Sequence, residues 1–127
     1  MKIVKVNDLR GTSRDVDCPK GGFKSIRMLL EEDGMGYTLT NTFIPKGPPQ
    51  MWHYKSHLET CYCISGHGLL RDLTTGTVHE IVPGTAYILD KHDAHEFQAV
   101  EDTTLICVFN PPLKGREVHG ADGSYSG

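Results

Sequence analysis

The chain of 127 residues contains no apolar stretch close to the roughly 20 residues that a membrane-spanning helix requires. Its beginning, MKIVKVNDLRG, also lacks the long apolar core of a secretory signal peptide. From these two absences we predict a cytoplasmic protein that has no membrane partner.

Basic residues are not in excess either. The chain has 13 lysines and arginines against 16 acidic residues, which gives a net charge of −3 at pH 7. Surfaces that bind nucleic acids need a concentration of positive charge. The composition therefore gives no indication of a nucleic-acid partner.

None of the four cysteines lies in a C-x-x-C pair, the spacing typical of structural zinc sites. Cys61 and Cys63 are too close along one strand to join each other in a disulfide, and a reducing compartment keeps thiols free. We therefore expect no structural zinc site and four free thiols, at Cys18, Cys61, Cys63 and Cys107.

Helix-forming segments are almost missing from the sequence. The only candidate is a short turn at residues 7–10, which Asn7 can cap. Most of the remaining chain consists of short β-rich segments separated by glycine, proline and aspartate turns. We predict strands at residues 1–6, 23–30, 37–44, 60–65, 67–73, 77–82, 85–89, 95–100 and 103–109, and a loop at residues 12–22. This pattern predicts one all-β domain over residues 1–127, either a sandwich or a small barrel.

One stretch, WHYKSHLETCYCISG at residues 52–66, combines ligand-type side chains with a β-rich run. If it is one extended strand, alternate side chains share a face. That face carries His53, Lys55, His57, Glu59, Cys61 and Cys63. Inside a closed sheet such groups need a partner or a metal ion, whereas on an edge strand the same face is solvated. The stretch alone leaves both interpretations open.

Glu59, Tyr87 and His95 fall on or beside predicted strands and are candidate metal ligands. A carboxylate, a phenolate and an imidazole together suit a first-row transition metal such as Fe(II) better than a structural zinc ion. Each residue also has a structural alternative: a surface glutamate, a core tyrosine and an exposed histidine. Their spacing alone does not decide between the metal site and these alternatives.

The order of two motifs favours the metal site. Glu59 is followed after six residues by Gly66, with His53 upstream, as in the first motif of the cupins. Pro83-Gly84, a strand and a short loop ending at His95 resemble the second cupin motif. The distance between the motifs fits a small single-domain cupin.

Lys55 stands where most cupins have the second histidine of the first motif, and this departure matches one branch of the superfamily. The chain resembles the ectoine synthase family along nearly its whole length. The resemblance rests on DLRGTSRDV, EEDGMGYT, HYKSHLE, YCISGHG, PGTAYILDKHDAH and CVFNPPLKGREVHGADGSY. It implies a small, jelly-roll-like cupin barrel and a hydro-lyase that cyclises N4-acetyl-L-2,4-diaminobutyrate to the osmoprotectant ectoine with loss of water. It also implies a homodimer and an Fe(II) ion bound by Glu59, Tyr87 and His95.

The resemblance further implies a substrate site. Its substrate-binding residues are Phe23, Arg27, Thr40, Thr42, Leu89, Phe109, Pro111 and Gly115, and its catalytic residues are Tyr54, His57, Glu117 and His119. Arg27 fits a carboxylate partner, because a guanidinium group binds a carboxylate at two points. The family often has tryptophan at the position of Phe23, and asparagine or histidine near Thr40.

The tail, residues 113–127, is polar and rich in glycine. We predict that it is mobile without substrate and closes over the barrel as a lid when substrate binds. The alternative is a frayed C-terminus, which most domains have.

Two other functions remain open at this point. One is a different metal-dependent cupin enzyme, such as a dioxygenase or an isomerase, and the other is a non-enzymatic ligand-binding cupin. Neighbouring genes of diaminobutyrate metabolism would favour the synthase over both.

Overall fold

The computed structural model describes residues 1–126 of the chain. Within them it has ten strands and two short helical segments, and neither segment has the length or apolar character to cross a membrane. The strands are β1 (Asp15–Cys18), β2 (Phe23–Leu29), β3 (Thr38–Ile44), β4 (Gln50–Trp52), β5 (Leu58–Ser65), β6 (Gly68–Asp72), β7 (Val78–Ile81), β8 (Ala86–Leu89), β9 (His95–Ala99) and β10 (Thr103–Asn110). The helical segments are α1 (Val6–Leu9) and a 3-10 turn at Glu31–Asp33. The prediction of an all-β fold with very little helix is confirmed.

The strands form two antiparallel sheets. The larger sheet has the order β1-β2-β3-β10-β5-β8, and the smaller sheet has the order β4-β9-β6-β7. Alternate side chains along each inner strand are buried, as the period of two requires. Trp52 of the smaller sheet stacks on Phe97 with ring centroids 5.3 Å apart, and it meets Phe23 of the larger sheet edge to face at 5.4 Å. These aromatic contacts join the inner faces of the two sheets into one core.

Two predictions near the N-terminus are wrong. Residues 1–5 form no strand, and the predicted loop at residues 12–22 contains β1, which pairs with β2. Val16 and Cys18 of β1 are buried while Asp17 between them is exposed. The acidic residues made this segment look like a loop, although its apolar side chains alternate as in a half-buried strand.

The stretch that contains the candidate ligands is not one continuous strand. β4 ends at Trp52 and β5 begins at Leu58, so the predicted common face holds only from Glu59 onwards. Lys55 is exposed, and its Nζ atom lies 3.1 Å from the Asp122 carboxylate. The edge-strand interpretation is also wrong, because β5 lies between β10 and β8 and its polar face is buried.

Gly66 follows β5 with a φ angle of 94°, in the left-handed region that favours glycine. A Cβ atom at this position would collide with the Asp102 carbonyl oxygen and with Thr103. The close approach lets the next residue, His67, donate its backbone N–H to Thr103 Oγ1 at 3.2 Å. The turn therefore needs glycine, and it fixes the end of β5 against β10.

The tail packs against the barrel. The backbone N–H of Leu113 donates to Thr38 Oγ1 at 2.7 Å, and farther along the Gly123 carbonyl accepts a hydrogen bond from the His53 N–H at 2.8 Å. The predicted lid covers residues 113–127, of which Gly127 lies outside the described residues. That the tail becomes mobile without substrate stays a prediction.

Candidate active site

Polar side chains cross the larger sheet in register. One row runs over five strands and consists of Arg27, Thr40, Cys107, Cys61 and Tyr87. The neighbouring row consists of Thr38, Phe109, Glu59 and Leu89. Directly opposed residues on adjacent strands point to the same face of a sheet. The strand order therefore assembles the two rows on the buried inner face from segments that are far apart in sequence.

Glu59 is a carboxylate on this face, and only 5% of it is exposed. Burial raises its pKa to about 7, and hydrogen bonds from the thiols of Cys61 and Cys107 offset part of that effect. A buried carboxylate costs free energy unless a proton or a cation neutralises it. The environment of Glu59 therefore favours binding of a cation.

Tyr87 and His95 each present an unused polar atom to the interior. Within residues 1–126, the Tyr87 hydroxyl and His95 Nε2 are buried and have no hydrogen-bond partner. His95 Nδ1 lies 2.9 Å from the Asp93 carbonyl oxygen, so Nδ1 carries the proton and donates it. This leaves the lone pair of Nε2 free, which is the usual arrangement of a metal-binding histidine. Burial also lowers the pKa of His95, which keeps the imidazole neutral.

The three predicted ligands fit a first-row transition metal on two grounds. Their donor atoms are a carboxylate oxygen, a phenol oxygen and an imidazole nitrogen, a mixed set that suits Fe(II). In addition, a buried polar atom without a partner costs about 1–3 kcal/mol, and a bound ion would remove that cost at Tyr87 and His95. The fit rests on the unpartnered atoms and on the chemistry of the donors.

A small cavity of 10 Å³ lies inside the barrel beside these residues. Its lining includes Phe23, Thr42, Tyr54, Glu59, Tyr87, Cys107, Phe109 and Tyr125. A cavity of that size holds about one water molecule. A larger groove of 650 Å³ is lined partly by Tyr87, Leu89 and His95. The groups with perturbed pKa values lie mainly around the smaller cavity, which we take as the centre of the site.

Tyr54 and His119 form a buried pair between the barrel and the tail. Tyr54 Oη lies 2.7 Å from His119 Nε2. Burial raises the pKa of Tyr54 well above its ordinary value, and burial is also the main cause that lowers the pKa of His119 to about 4. Both groups are therefore neutral at pH 7 and share a hydrogen bond along which a proton can pass. Tyr125 of the tail stacks on Tyr54, with ring centroids 5.1 Å apart.

Arg27 is completely buried and is held by the tail. Its Nη1 donates to the Gly115 carbonyl oxygen at 2.8 Å, and its Nη2 donates to the Glu117 carbonyl oxygen. The guanidinium carbon lies 5.3 Å from the centre of the Tyr125 ring. Because a guanidinium group carries five N–H donors, these two bonds use only part of its capacity.

Glu117 shapes the turn of the tail that meets Arg27. Its carboxylate accepts hydrogen bonds from the backbone N–H groups of Lys114 and Gly115, each at 2.7 Å. Burial by itself raises the pKa of Glu117, but these bonds outweigh burial and lower the pKa on balance. Glu117 is therefore a charged group that fixes the tail carbonyls against Arg27.

The other predicted site residues differ in location. Those buried on the inner face are Phe23, Thr40, Thr42, Leu89 and Phe109. Thr40 Oγ1 and Thr42 Oγ1 lie 2.8 Å apart and share a hydrogen bond. His57 is buried, and among the described residues its Nδ1 atom has no partner. Pro111 is exposed just after β10, away from the inner face.

Sequence reasoning did not assign Trp52, Cys107 or Tyr125 to the site. Tyr125 is the single aromatic residue in the tail, and that isolation was a usable signal. Cys107 and Trp52 lie on the buried faces of their strands. The alternation of side chains along a strand could have predicted these positions. No sequence pattern shows that Cys107 lies opposite Cys61.

The whole chain, residues 1–127, matches the family model described as ectoine synthase. The chain belongs to the ectoine synthase family. The L-ectoine synthase of Alkalilimnicola ehrlichii is 48% identical over 126 residues, which cover 98% of this chain and 94% of that protein. The L-ectoine synthase of Teredinibacter turnerae is 45% identical over 125 residues, which cover 98% of this chain and 95% of that protein.

Solved structures agree with membership of the ectoine synthase family. The crystal structure of ectoine synthase from P. lautus matches with a TM-score of 0.84 and 37% identity, over 90% of this chain and 80% of that chain. An RmlC-like cupin from Shewanella frigidimarina matches with a TM-score of 0.59 and 18% identity, over 72% and 78% of the two chains, and is similar in fold alone. The predictions of the ectoine synthase family and of a cupin barrel are confirmed.

Proposed function

We propose that this chain cyclises N4-acetyl-L-2,4-diaminobutyrate to ectoine with release of water. One observation carries the proposal: Tyr54 and His119 form a neutral pair with a 2.7 Å hydrogen bond, and Tyr54 lines the same cavity as Glu59. A dehydrating ring closure needs a group that gives and takes protons in a site that excludes bulk water. The burial of all three side chains supports such a site.

In this proposal the enzyme depends on Fe(II), held by Glu59, Tyr87 and His95. When bound, the ion supplies positive charge that polarises the amide carbonyl and stabilises negative charge on its oxygen. The support is the donor chemistry and the two buried atoms that find no partner in residues 1–126.

Arg27 binds the substrate carboxylate through its guanidinium fork. Thr40 lies directly opposite Arg27 on the adjacent strand. The hydroxyl groups of Thr40 and Thr42 form a hydrogen bond with each other. These hydroxyls help to hold the flexible substrate in the bent form in which its amine meets its own amide. Fixing that geometry in advance lowers the barrier substantially.

Ring closure forms a C–N bond between the α-amine and the amide carbonyl carbon and breaks the carbonyl C–O bond. A substrate that enters as an ammonium ion carries three protons on that nitrogen. One stays on the cyclic amidinium product and two leave with the oxygen as water. His57 accepts a proton from the ammonium group through its free Nδ1. His57 then returns this proton to the departing oxygen. The Tyr54 hydroxyl gives that oxygen its second proton and regains one from the nitrogen, which loses its second proton, while the hydrogen bond from His119 Nε2 holds the Tyr54 oxygen in place.

Substrate does not fit beside the tail as it is packed, since the cavity of 10 Å³ holds about one water molecule. We propose that the tail opens beyond Lys114 to admit substrate and then closes as a lid. Opening frees Arg27 from the carbonyls of Gly115 and Glu117, and the substrate carboxylate takes their place. Closing brings His119 back to Tyr54 and excludes water from the reaction.

We also propose that the enzyme is a cytoplasmic homodimer, as the family resemblance implies. Light scattering of the purified protein should give twice the chain mass of 14.1 kDa. A monomer mass at working concentrations would contradict the dimer and leave the reaction proposal intact.

The direct test is to incubate the Fe(II)-loaded protein with N4-acetyl-L-2,4-diaminobutyrate and to measure ectoine by NMR. We expect ectoine from the wild type, and loss of both ectoine and bound iron in Tyr87→Phe. The matched control is Tyr62→Phe, an exposed tyrosine on β5 that should have no effect. No ectoine from the loaded wild type contradicts the reaction, and full iron content in Tyr87→Phe contradicts the ligand set. Oxygen consumption without ectoine would favour a cupin dioxygenase.

A further inference from the structure

Two thiols and a carboxylate meet on the inner face, and the proposed reaction leaves the thiols without a role. Cys107 of β10 lies directly opposite Cys61 of β5, and Glu59 comes two residues before Cys61 on the same face. All three residues are buried, and one ligand atom from each lies within 4.8 Å of the other two. We call these three residues the thiol cluster.

The other two cysteines have main-chain partners. Cys18 Sγ accepts a hydrogen bond from a backbone N–H at 3.2 Å, and Cys63 Sγ lies 3.4 Å from a backbone carbonyl oxygen. In the thiol cluster, the sulfur atoms of Cys61 and Cys107 instead lie within 4.8 Å of each other and of a carboxylate oxygen of Glu59. A cation bound among these three ligand atoms would replace the two thiol protons.

A thiophilic divalent cation has the chemistry to replace those protons. Zn–S bonds are about 2.3 Å long, so two thiolates on one tetrahedral ion lie roughly 3.8 Å apart. Ligand atoms within 4.8 Å of one another need only small side-chain movements to reach that geometry. On binding, each thiol releases its proton to solvent, and the two thiolates balance the charge of the ion.

A fourth donor is already next to the cluster. Tyr87 lies directly opposite Cys61 on β8, and its buried hydroxyl has no hydrogen-bond partner in the part of the chain described. The cavity beside Glu59, Tyr87 and Cys107 also has room for about one water molecule. Two sulfurs and two oxygens complete a tetrahedral set, which soft thiolates make selective for Zn²⁺-type ions over Mg²⁺ or Ca²⁺.

We propose that Glu59, Cys61 and Cys107 form a second metal-binding site, selective for a thiophilic divalent cation such as Zn²⁺. This site differs from the Glu59–Tyr87–His95 set by its two sulfur ligands, and it shares Glu59 and the fourth donor Tyr87 with that set. The two ions therefore exclude each other, and Zn²⁺ displaces Fe(II). The inference goes beyond the proposed cyclisation, because binding at the thiol cluster does not require that reaction.

Co²⁺ is the spectroscopic probe for this site. The full chain is stripped of metal with a chelator, kept reduced with a phosphine, checked by circular dichroism for its β-sheet spectrum, and titrated with Co²⁺. We expect a thiolate-to-cobalt charge-transfer band in the near ultraviolet that Zn²⁺ abolishes. Cys61→Val and Cys107→Val should each weaken the band, and the double variant should lose it. Cys18→Val and Cys63→Val are matched controls, buried cysteines that should keep the band.

Several outcomes overturn the site. The first is a charge-transfer band that survives in the double variant. The second is loss of the band in a Cys18→Val or Cys63→Val variant that is still folded. The third is saturation of the wild type with Co²⁺ without any such band. If a valine variant does not fold, the serine variant at the same position replaces it.

A second measurement follows iron. Zn²⁺ should release Fe(II) from the wild type to a ferrous chelator and should release much less from a folded Cys61→Ser variant. Equal release from both proteins overturns the shared use of Glu59.

Discussion

His119 Nε2, in the tail, lies 2.7 Å from the Tyr54 hydroxyl in the barrel, although 65 residues separate the two in sequence. Because one partner lies on the proposed lid and the other on the barrel, the pair exists only while the tail is closed. In the proposed reaction, proton transfer and closure of the site would both depend on this one contact.

Replacing either member of this pair should slow cyclisation strongly. We expect Tyr54→Phe to lower kcat by at least about 100-fold, the range of a positioned proton donor. The ring and its stacking on Tyr125 remain, so the loss reports the hydroxyl. The double variant Tyr54→Phe/His119→Gln should be little slower than either single variant, because the two residues act as a unit. Losses that simply multiply in steady-state assays would mean that the two act separately.

His119 should make the stability of the protein depend on pH. Burial lowers the pKa of His119 from an ordinary 6.5 to about 4, so between these values the unfolded chain binds a proton that the folded protein does not. The stabilisation is present above pH 6.5 and is lost as pH falls towards 4. His119 should therefore account for about 2 kcal/mol of the stability lost between pH 8 and pH 5.

Urea unfolding at the two pH values measures this loss. His119→Gln should lose less stability than the wild type between pH 8 and pH 5, while His79→Gln, an exposed control, should behave as the wild type does. Identical pH dependence in the wild type and His119→Gln would show that the histidine does not remain neutral in the fold.

Glu59 should cost stability in the metal-free protein at high pH. Burial raises its pKa from an ordinary 4.5 to about 7, so above pH 7 folding keeps a charge in an apolar site. The contribution of Glu59 to the free energy of unfolding is therefore most favourable at low pH, and it falls as pH rises through about 7. Metal-free Glu59→Gln should therefore be more stable than the wild type by roughly 2–3 kcal/mol at pH 8 and by less than about 1 kcal/mol at pH 5. Urea unfolding measures both values.

The same Glu59→Gln variant should bind no iron, because the neutral amide is a poor ligand for a transition metal. The exposed Glu80→Gln is the control for both experiments. Greater stability with full iron content would contradict the role of Glu59 as a ligand, and lower stability at pH 8 would contradict the burial argument.

Arg27→Lys should weaken substrate binding and loosen the tail. A lysine ammonium is a point charge and cannot bridge the Gly115 and Glu117 carbonyls and then grip a carboxylate as a fork does. We expect a rise in KM of at least about tenfold, corresponding to about 1.4 kcal/mol, together with faster proteolysis of the tail. Iron content should not change, and the exposed Arg71→Lys serves as control. Parallel loss of iron and substrate binding would make Arg27 a structural residue.

Removing the lid should separate folding from catalysis. The chain should be truncated after Lys114, because Leu113 is completely buried and its backbone forms hydrogen bonds with Thr38 and Glu31. The shortened chain should keep its β-sheet spectrum and its iron, while cyclisation falls by at least about tenfold, or about 1.4 kcal/mol of barrier. Cyclisation at the full rate would rule out the lid and remove Glu117 and His119 from the site.

The positions of strands could be predicted well from the sequence where β-branched and aromatic residues dominate a segment between two turns. β3 and β10 are such segments, and their predicted and observed bounds nearly coincide. β1 was missed because the half-buried Asp15 and the exposed Asp17 alternate with its buried residues. The candidate ligands Glu59, Tyr87 and His95 came from motif order and family resemblance, and their burial on the inner face agrees with a shared site.

By itself, the sequence determined which side chains face the core, because a strand turns alternate residues to one side whatever it pairs with. Only the tertiary structure decided which of those residues meet. Cys107 lies beside Cys61, and Arg27 reaches a carbonyl 88 residues away, because β10 lies between β3 and β5 and the tail folds back over them. The order and register of strand pairing arise from the packing of the whole chain. The periodicity of side chains within a single strand does not show them.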